Sequence, residues 1–527
     1  MKTYILPRIF WAIMGIVILI SSNNPGDLLI PLANKARTGA LEAPAYGSFP
    51  TLKSPIIGDH KSFLPVVKNG TAYFVSPSGN DAGPGSQTQP WRTIGKAASM
   101  VVAGDAIYIH GGVYIEKVDF SRSGTEIKPI RILAYQGETP IIDGNNQLPN
   151  SYTGLLSISG DWVQVSGLEV RNSNYMGVAL LGKHDMADNI YAHHSQKSGI
   201  YISGDYGIVE NSRIWQNSLQ NEGGKNTTWA SGLIAGRDTT DGLTEYAIMR
   251  KNVVWENWGQ GINTYEANQT IIEDNISYDN FSTNIYISDA TNVLCQRNLV
   301  YMTPESVVYG TGPNVGIMMG DEKFTPPSAN IKVINNIAYG NSRNFSWWKG
   351  TQNGGMNNVL IANNTFVNSY GDFGVVISEG SHQNARFENN VVQQDKGQGI
   401  IYVPLNPELT LSNNLWSEPP ISAAFGPGDV VGDPKLAKIG QPNAPEWFIL
   451  TNSSPAINKA KSLLEVVDDY FRNSRGSYPD IGAIEYVTSG NNISPLCRTP
   501  GIWPGLFPFL CRRENRPRQS CQRNRPL

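Results

Sequence analysis

The sequence predicts an all-β chain wound as a parallel β-helix, a solenoid of short strands with short capping helices. Two observations carry this reading. From about residue 152 to 415 the chain repeats a β run, an Asn-containing corner and a second β run, as in "YGIVENSRIWQNS", "YAIMRKNVVWENW" and "QTIIEDNISYDNF". The interval from Asn252 to Asn275 to Asn298 is 23 residues each time. A leucine-rich horseshoe, which repeats at a similar period, needs an LxxLxLxxN run and a helical outer half, and neither is present. Coils of short strands stacked at roughly 4.8 Å fit better.

The elements follow in chain order. Lys2 and Arg8 precede an apolar run from Ile9 to Ile20, the pattern of an export signal. The run is short for a spanning helix, which needs roughly 20 apolar residues. Residues 1–22 are therefore an expected signal peptide, with an uncleaved membrane anchor as the alternative. The protein is expected to be secreted or extracellular, or else anchored at the cell surface. Residues 23–70 read as a linker, and 71–486 as the β-helix domain. Within it, Ala72 to Val75 predicts a strand, and Trp91 to Met100 a short helix with Ile94 and Ala97 or Ala98 inward. "AIYIHGGVY" predicts a further strand turned by Gly111 and Gly112. Such a helix covers the apolar end of a solenoid that would otherwise face water.

In the repeats, Asn211, Asn252, Asn275, Asn298, Asn336, Asn364, Asn390 and Asn414 mark the corner. Asn tolerates the left-handed conformation and can bond its counterparts above and below. Ile272, Ile276, Val293 and Leu299 flank the corner and are expected in the core. Residues 487–527 form a basic tail expected to be a mobile, solubilising segment. Cys295 reads as a small buried hydrophobe. One disulfide among Cys497, Cys511 and Cys521 suits an exported chain. A formal net charge of -3 with no long Lys/Arg stripe argues against nucleic acid as a partner.

The candidate chemistry lies at the ends of strands. "YISGD", "IAGRD", "INTYE", "IYISD", "IMMGD" and "VVISE" each end in an acid: Asp205, Asp238, Glu266, Asp289, Asp321 and Glu379. Superposed coils would stack these into a column of carboxylates down one outer edge. Like charges about 5 Å apart need compensation, from a hard cation such as Ca2+, from shared protons, or from Arg237 and Lys225. Two insertions, one between Asn211 and Asn252 and one around "MTPESVVYGTGPNVGIMMGDEKFTPPSAN", would wall a groove centred on Glu266 and Asp289. Trp229, Tyr265, Tyr286, Trp347 and Trp348 are candidate sugar platforms. Trp255 and Trp258 read as packing residues. His193 and His194 are a candidate base or a structural pair.

The opening "FVSPSGNDAGPGSQTQPWRTIGKAASMVVAGDAIYIHGGVY" and the Asn-corner repeats resemble the right-handed parallel β-helix superfamily of pectate lyases and related secreted polysaccharide enzymes. The opening is similar to the N-terminal cap of family 9 pectate lyases, and "SSPAINKAKSLLEVVDDYFRNSRGSYPDIGAIEY" resembles the closing segment of secreted β-helix proteins. The resemblance covers about Ala72 to Tyr486. It implies a right-handed solenoid and a polysaccharide or oligosaccharide partner. It also implies β-elimination of a uronate-containing glycan by a Lys base with an Asp-rich Ca2+ site. On that pattern Lys225 is the candidate base, with Lys197 behind it, and Arg237 the partner of the substrate carboxylate. Asp238, Glu266, Asp289 and Asp321 are the candidate metal ligands. Two other readings stay open: a glycoside hydrolase using Glu266 and Asp289, and a non-catalytic carbohydrate-binding surface protein.

Overall fold

The computed structural model describes residues 70–225, 229–237, 242–323, 328–350, 354–395 and 397–487. All of them lie in the compact unit Phe63–Pro495. The N-terminal apolar run, Asp238 and the cysteines of the tail lie outside the described residues. No helix among the described residues is long and apolar enough to cross a membrane.

Three sheets run the length of the solenoid. Sheet 1 begins with Ala72–Val75 and ends with Leu409–Ser412; sheet 2 runs from Val118–Phe120 to Gly399–Tyr402; sheet 3 runs from Gly112–Tyr114 to Val430–Val431. One coil consists of Gln260–Asn268 in sheet 2, Ile271–Glu273 in sheet 1 and Ile276–Tyr278 in sheet 3. The next coil pairs with it in parallel, with Ile262 beside Ile285, Ile272 beside Cys295 and Ile276 beside Leu299. Inward positions alternate with outward ones as the pleat requires. Ile262, Ile272, Ile285, Cys295 and Val300 are all in the central core. Cys295 is the buried free thiol that its place in a repeat suggests.

The opening is sealed by the helix Ile94–Met100, whose Ile94, Ala97 and Ala98 are buried. Lys96 N–H donates to its N-cap Thr93 Oγ1, and the N–H groups of Ile94 and Gly95 donate to the Glu116 carboxylate, each at 2.9 Å. These contacts satisfy donors that a helix start leaves open.

The corner between sheets 1 and 3 corrects the sequence reading in two ways. The stacked asparagines are not the left-handed residues. That conformation falls on the residue before each of them, Lys251, Asp274, Arg297, Asn335, Asn363, Asn389 and Asn413. Asn211 is itself such a residue, and Ser212 occupies the ladder slot, its N–H donating to Asn252 Oδ1. From Asn252 onward each Nδ2 donates to the next Oδ1, through Asn275, Asn298, Asn336, Asn364 and Asn390 to Asn414. A second amide column, Asn217–Asn257–Asn280–Asn284–Asn341–Asn344, lines the corner between sheets 3 and 2.

Ile272 and Val293 are in the core as expected, but Ile276 and Leu299 face outward on sheet 3. In three-residue strands such as Ile276–Tyr278 and Leu299–Tyr301 only the middle side chain points in. The outward residues are covered by the segment after the last coil. Leu436, Phe448, Leu450, Phe471 and Ile481 pack on Leu299, Ile337, Val367, Val391 and Leu415. Leu463 and Val466 cover Ile334 and Leu360 of sheet 1. Ion pairs Arg472–Asp274, Arg297–Asp468 and Lys461–Glu388 fasten this strap along the coils.

Candidate active site

Sheet 2 brings three of the acids together. Tyr265 pairs with Ser288 and Ala267 with Ala290, so Glu266 and Asp289 occupy consecutive rungs. Ser288 pairs with Gly320, which brings Asp321 to the rung beyond. Glu266 and Asp289 are both left-handed, with φ of 51° and 47°. This conformation is uncommon outside glycine, and it kinks the two strands at the same point before they resume.

The column differs from the expected one at both ends. Leu233, not Ile234, pairs with Ile262, and Gly236 pairs with Tyr265. Arg237 therefore stands beside Glu266 where the sequence alignment put Asp238, which lies outside the described residues. Asp205 falls in the turn after Ile200–Ile202, beside Thr244–Glu245 rather than in the slot next to Glu266, accepting Glu245 N–H and bound by Lys183 Nζ at 2.7 Å. On the far side Asp321 pairs with Lys349. Nor is the column an open outer edge: Asp289 is fully buried, and Glu266 and Asp321 nearly so.

Its charge is balanced by a residue the sequence reading missed. Lys323 Nζ lies 2.7 Å from Glu266 Oε1, and Lys323 N–H donates to Asp289 Oδ1 at 2.7 Å. Ser288 Oγ donates to Asp289 Oδ2. Asp321 accepts the N–H groups of Ser328 and Gly355, each at 2.9 Å. Glu266 Oε2 has no hydrogen-bond partner; Arg237 Nε is 3.8 Å away. The two cations are the accessible groups, with side chains 62% (Arg237) and 41% (Lys323) exposed over a Glu266 side chain at 10%.

The loop carrying Lys323 is held in a second place. Tyr286 donates to Glu322 Oε1 at 2.6 Å and accepts from Trp348 Nε1 at 3.1 Å. Burial pushes Asp289 up to about 6, helped by Glu322 and Asp321. Burial also raises the Tyr265 phenol, against a hydrogen bond from Lys323. Burial pulls Lys323 down, but its bonds to Glu266 and Tyr265 outweigh this and hold the ammonium above its usual range.

The remaining candidates are dispersed. Lys225 is exposed at the opening end of sheet 2, close to Phe281 through its neighbour Gly224. Arg237 and Glu266 lie at the closing end, and the six-residue strand Ser231–Gly236 between spans about 20 Å. Lys197 is also at the opening end, half-buried, its ammonium lowered by burial. Trp229 is there too, edge-on to Phe281 at 5.7 Å and near Trp258 in one apolar cluster. Tyr265 faces outward, with Lys323 Nζ 5.0 Å from its ring centre. Trp347 points into the core and is fully buried, and Tyr286 is buried under its two partners. Neither can offer a ring face to a sugar; strand parity turns Trp347 in with Phe345 and leaves Trp348 outward and half-buried. His193 and His194 lie at sheet 3, where His193 stacks on Trp215 at 4.1 Å and Trp215 on Trp255 at 5.0 Å.

These donors do not form the expected Ca2+ site. Among the described residues no three acidic, histidine or cysteine side chains converge to hold a metal ion. The oxygens of Glu266, Asp289 and Asp321 are turned to an ammonium, a hydroxyl and main-chain N–H groups, with only Glu266 Oε2 left over. This set does not fit a hard cation that takes 6–8 oxygen ligands.

Residues 73–292 match the family model described as Pel9A-like, right handed beta helix region. Pectate lyase L of Dickeya dadantii is 25% identical over 438 residues, covering 78% of this chain and 90% of that protein. In fold and in these matches the chain resembles the right-handed parallel β-helix superfamily of the pectate lyases. Pectate lyase PEL9 of Emericella nidulans is 26% identical over 309 residues, 55% of this chain and 72% of that protein. The solved pectate lyase Pel9A shares the β-helix fold at a TM-score of 0.50 and 22% identity, covering 80% of this chain and 97% of that one. XylC, solved in complex with xylose, shares it at 0.55 and 13%, covering 80% and 99%.

Proposed function

We propose that this protein is a polysaccharide lyase that cleaves a uronate-containing glycan by β-elimination at the closing end of sheet 2. The observation that carries the reading is the exposed pair Arg237 and Lys323 set over the Glu266 carboxylate, whose Oε1 binds the Lys323 ammonium and whose buried Oε2, 3.8 Å from Arg237 Nε, has no hydrogen bond. The two cations receive the sugar carboxylate and make the neighbouring C–H more acidic. Glu266 Oε2 takes that proton, the electron pair forms the carbon–carbon double bond, and the bond to the β oxygen breaks. Tyr265, a phenol kept protonated by burial, supplies the proton for the leaving oxygen. Its pectate lyase relatives favour this class of substrate. The N-terminal Lys2, Arg8 and apolar run favour action outside the cytoplasm.

The hydrolase reading needs two accessible carboxyls. Asp289 is fully buried and bonded to Lys323 N–H and Ser288, which favours the lyase. The test is a screen of purified protein on polygalacturonate, alginate and glucuronans, following absorbance at 235 nm. A rise that Glu266→Gln removes is expected. New reducing ends without that absorbance would replace elimination by hydrolysis, and glycan retention without product would leave a binding protein.

A further inference from the structure

We infer that Lys323 is a built-in cation, holding the carboxylate column in the state that a divalent ion would otherwise be needed to create, so that this chain works without calcium. The inference rests on the lyase reading for its catalytic meaning, but the geometry behind it is independent of any substrate. A divalent ion between adjacent rungs would need oxygens from both Glu266 and Asp289. Lys323 engages both, with its ammonium on Glu266 Oε1 and its main-chain N–H on Asp289 Oδ1, each at 2.7 Å. The third acid, Asp321, has both oxygens taken by the N–H groups of Ser328 and Gly355.

The cation is fixed in place, because the chain leading into it is anchored at two consecutive residues. Glu322 is tied to Tyr286, itself held by Trp348, and Lys323 is tied through its backbone to Asp289. Lys323 therefore reaches Glu266 from a loop pinned at two buried points. Arg237 supplies a second positive charge 3.8 Å from the remaining Glu266 oxygen. Removing the ammonium alone would leave Glu266 and Asp289 on adjacent rungs with one cation fewer. A divalent ion could then enter between them.

The experiment is thermal melting and calorimetric titration of the full-length protein with calcium chloride, against EDTA and against magnesium as an ionic control. For the wild type no calcium-dependent shift and no heat of binding are expected. For Lys323→Met a calcium-dependent rise of about 2 °C or more is expected, and Lys323→Arg should return the protein to indifference. Wild-type protein that melts higher in calcium than in EDTA overturns the inference, as does a Lys323→Met protein that ignores calcium. If Lys323→Met does not fold, Lys323→Gln keeps a hydrogen-bond donor to Glu266 without the charge, and the wild-type measurement decides the matter by itself. Melting needs no substrate. A protein silent on every polyuronate yet indifferent to calcium would sink the lyase reading and leave this inference standing, whereas a lyase stimulated by calcium would do the reverse.

Discussion

The asparagine column at the corner of sheets 1 and 3 and the carboxylate column at the end of sheet 2 solve one stacking problem with different chemistry. An amide is donor and acceptor at once, so identical residues satisfy one another: Asn298 Nδ2 donates to Asn336 Oδ1 while Asn298 Oδ1 accepts from Asn275. An ionised carboxylate only accepts. Two of them about 5 Å apart repel by about 3 kcal/mol at an effective dielectric constant of 20. Such a column therefore needs help from outside the repeat, which here comes from Lys323, from Arg237 and from main-chain N–H groups of the loops. The amide column is self-contained and structural. The carboxylate column depends on insertions, and its compensating charges are what a ligand meets first.

The contrast breaks most severely at the centre of the amide column. Asn298→Ala orphans Asn275 N–H and takes one bond each from Asn275 Nδ2, which keeps Met249 C=O, and from Ile272 C=O. A loss of about 2–4 kcal/mol is expected, since a buried unpaired group costs roughly 1–3 kcal/mol and each lost hydrogen bond about 1 kcal/mol; denaturant unfolding measures it. Arg237→Ala should act on the reaction instead, lowering kcat/KM by about 10²-fold, a typical loss for one electrostatic stabiliser. Its melting temperature should stay unchanged, because the side chain is largely exposed.

Asp289 sharpens the comparison through pH. Its folded-state pKa, about 6, is raised from 3.8. Between about pH 4 and pH 6 the unfolded chain gives up this proton while the folded one keeps it, so the group's contribution to stability falls over that window and is flat above it. Asp289→Asn retains an acceptor for Lys323 N–H and should remove that slope, gaining about 1–2 kcal/mol at pH 7 and nothing near pH 4. Melting curves at the two pH values check this. The smallest effect is expected at Lys225, exposed at the other end of the sheet. Lys225→Ala should change stability by no more than about 0.5 kcal/mol and leave the elimination rate near that of the wild type.

The amide column was legible because it is written in the repeat itself. Asn275 and Asn298 recur at the coil length, and that interval is enough to fix the parallel stacking. The acid column was legible where strand endings match. Glu266 and Asp289 superpose as their 23-residue spacing implies, and Asp321 joins them across an insertion through its "IMMGD" ending. Across the insertion before Asn252, "YISGD" and "IAGRD" can be laid against "INTYE" in two registers, and the backbone takes the one that puts Arg237 in the slot. Lys323 carries no periodic signal, being part of an insertion, and its only hint was its place directly after Asp321 and Glu322. The aromatics failed on parity: "FSWWK" reads equally well with either tryptophan inward until Phe345 is seen to face the core.

The strap formed by the last part of the chain has a consequence for how the molecule comes apart. Solenoids unravel readily from an end, because each turn touches only its neighbours. Here Arg472 reaches back to Asp274, while Leu436 and Phe448 belong to the apolar layer that also holds Leu299 and Leu415. No turn in that stretch can fray without lifting a clasp shared with all the others, so about half of the rod is expected to melt in a single cooperative step.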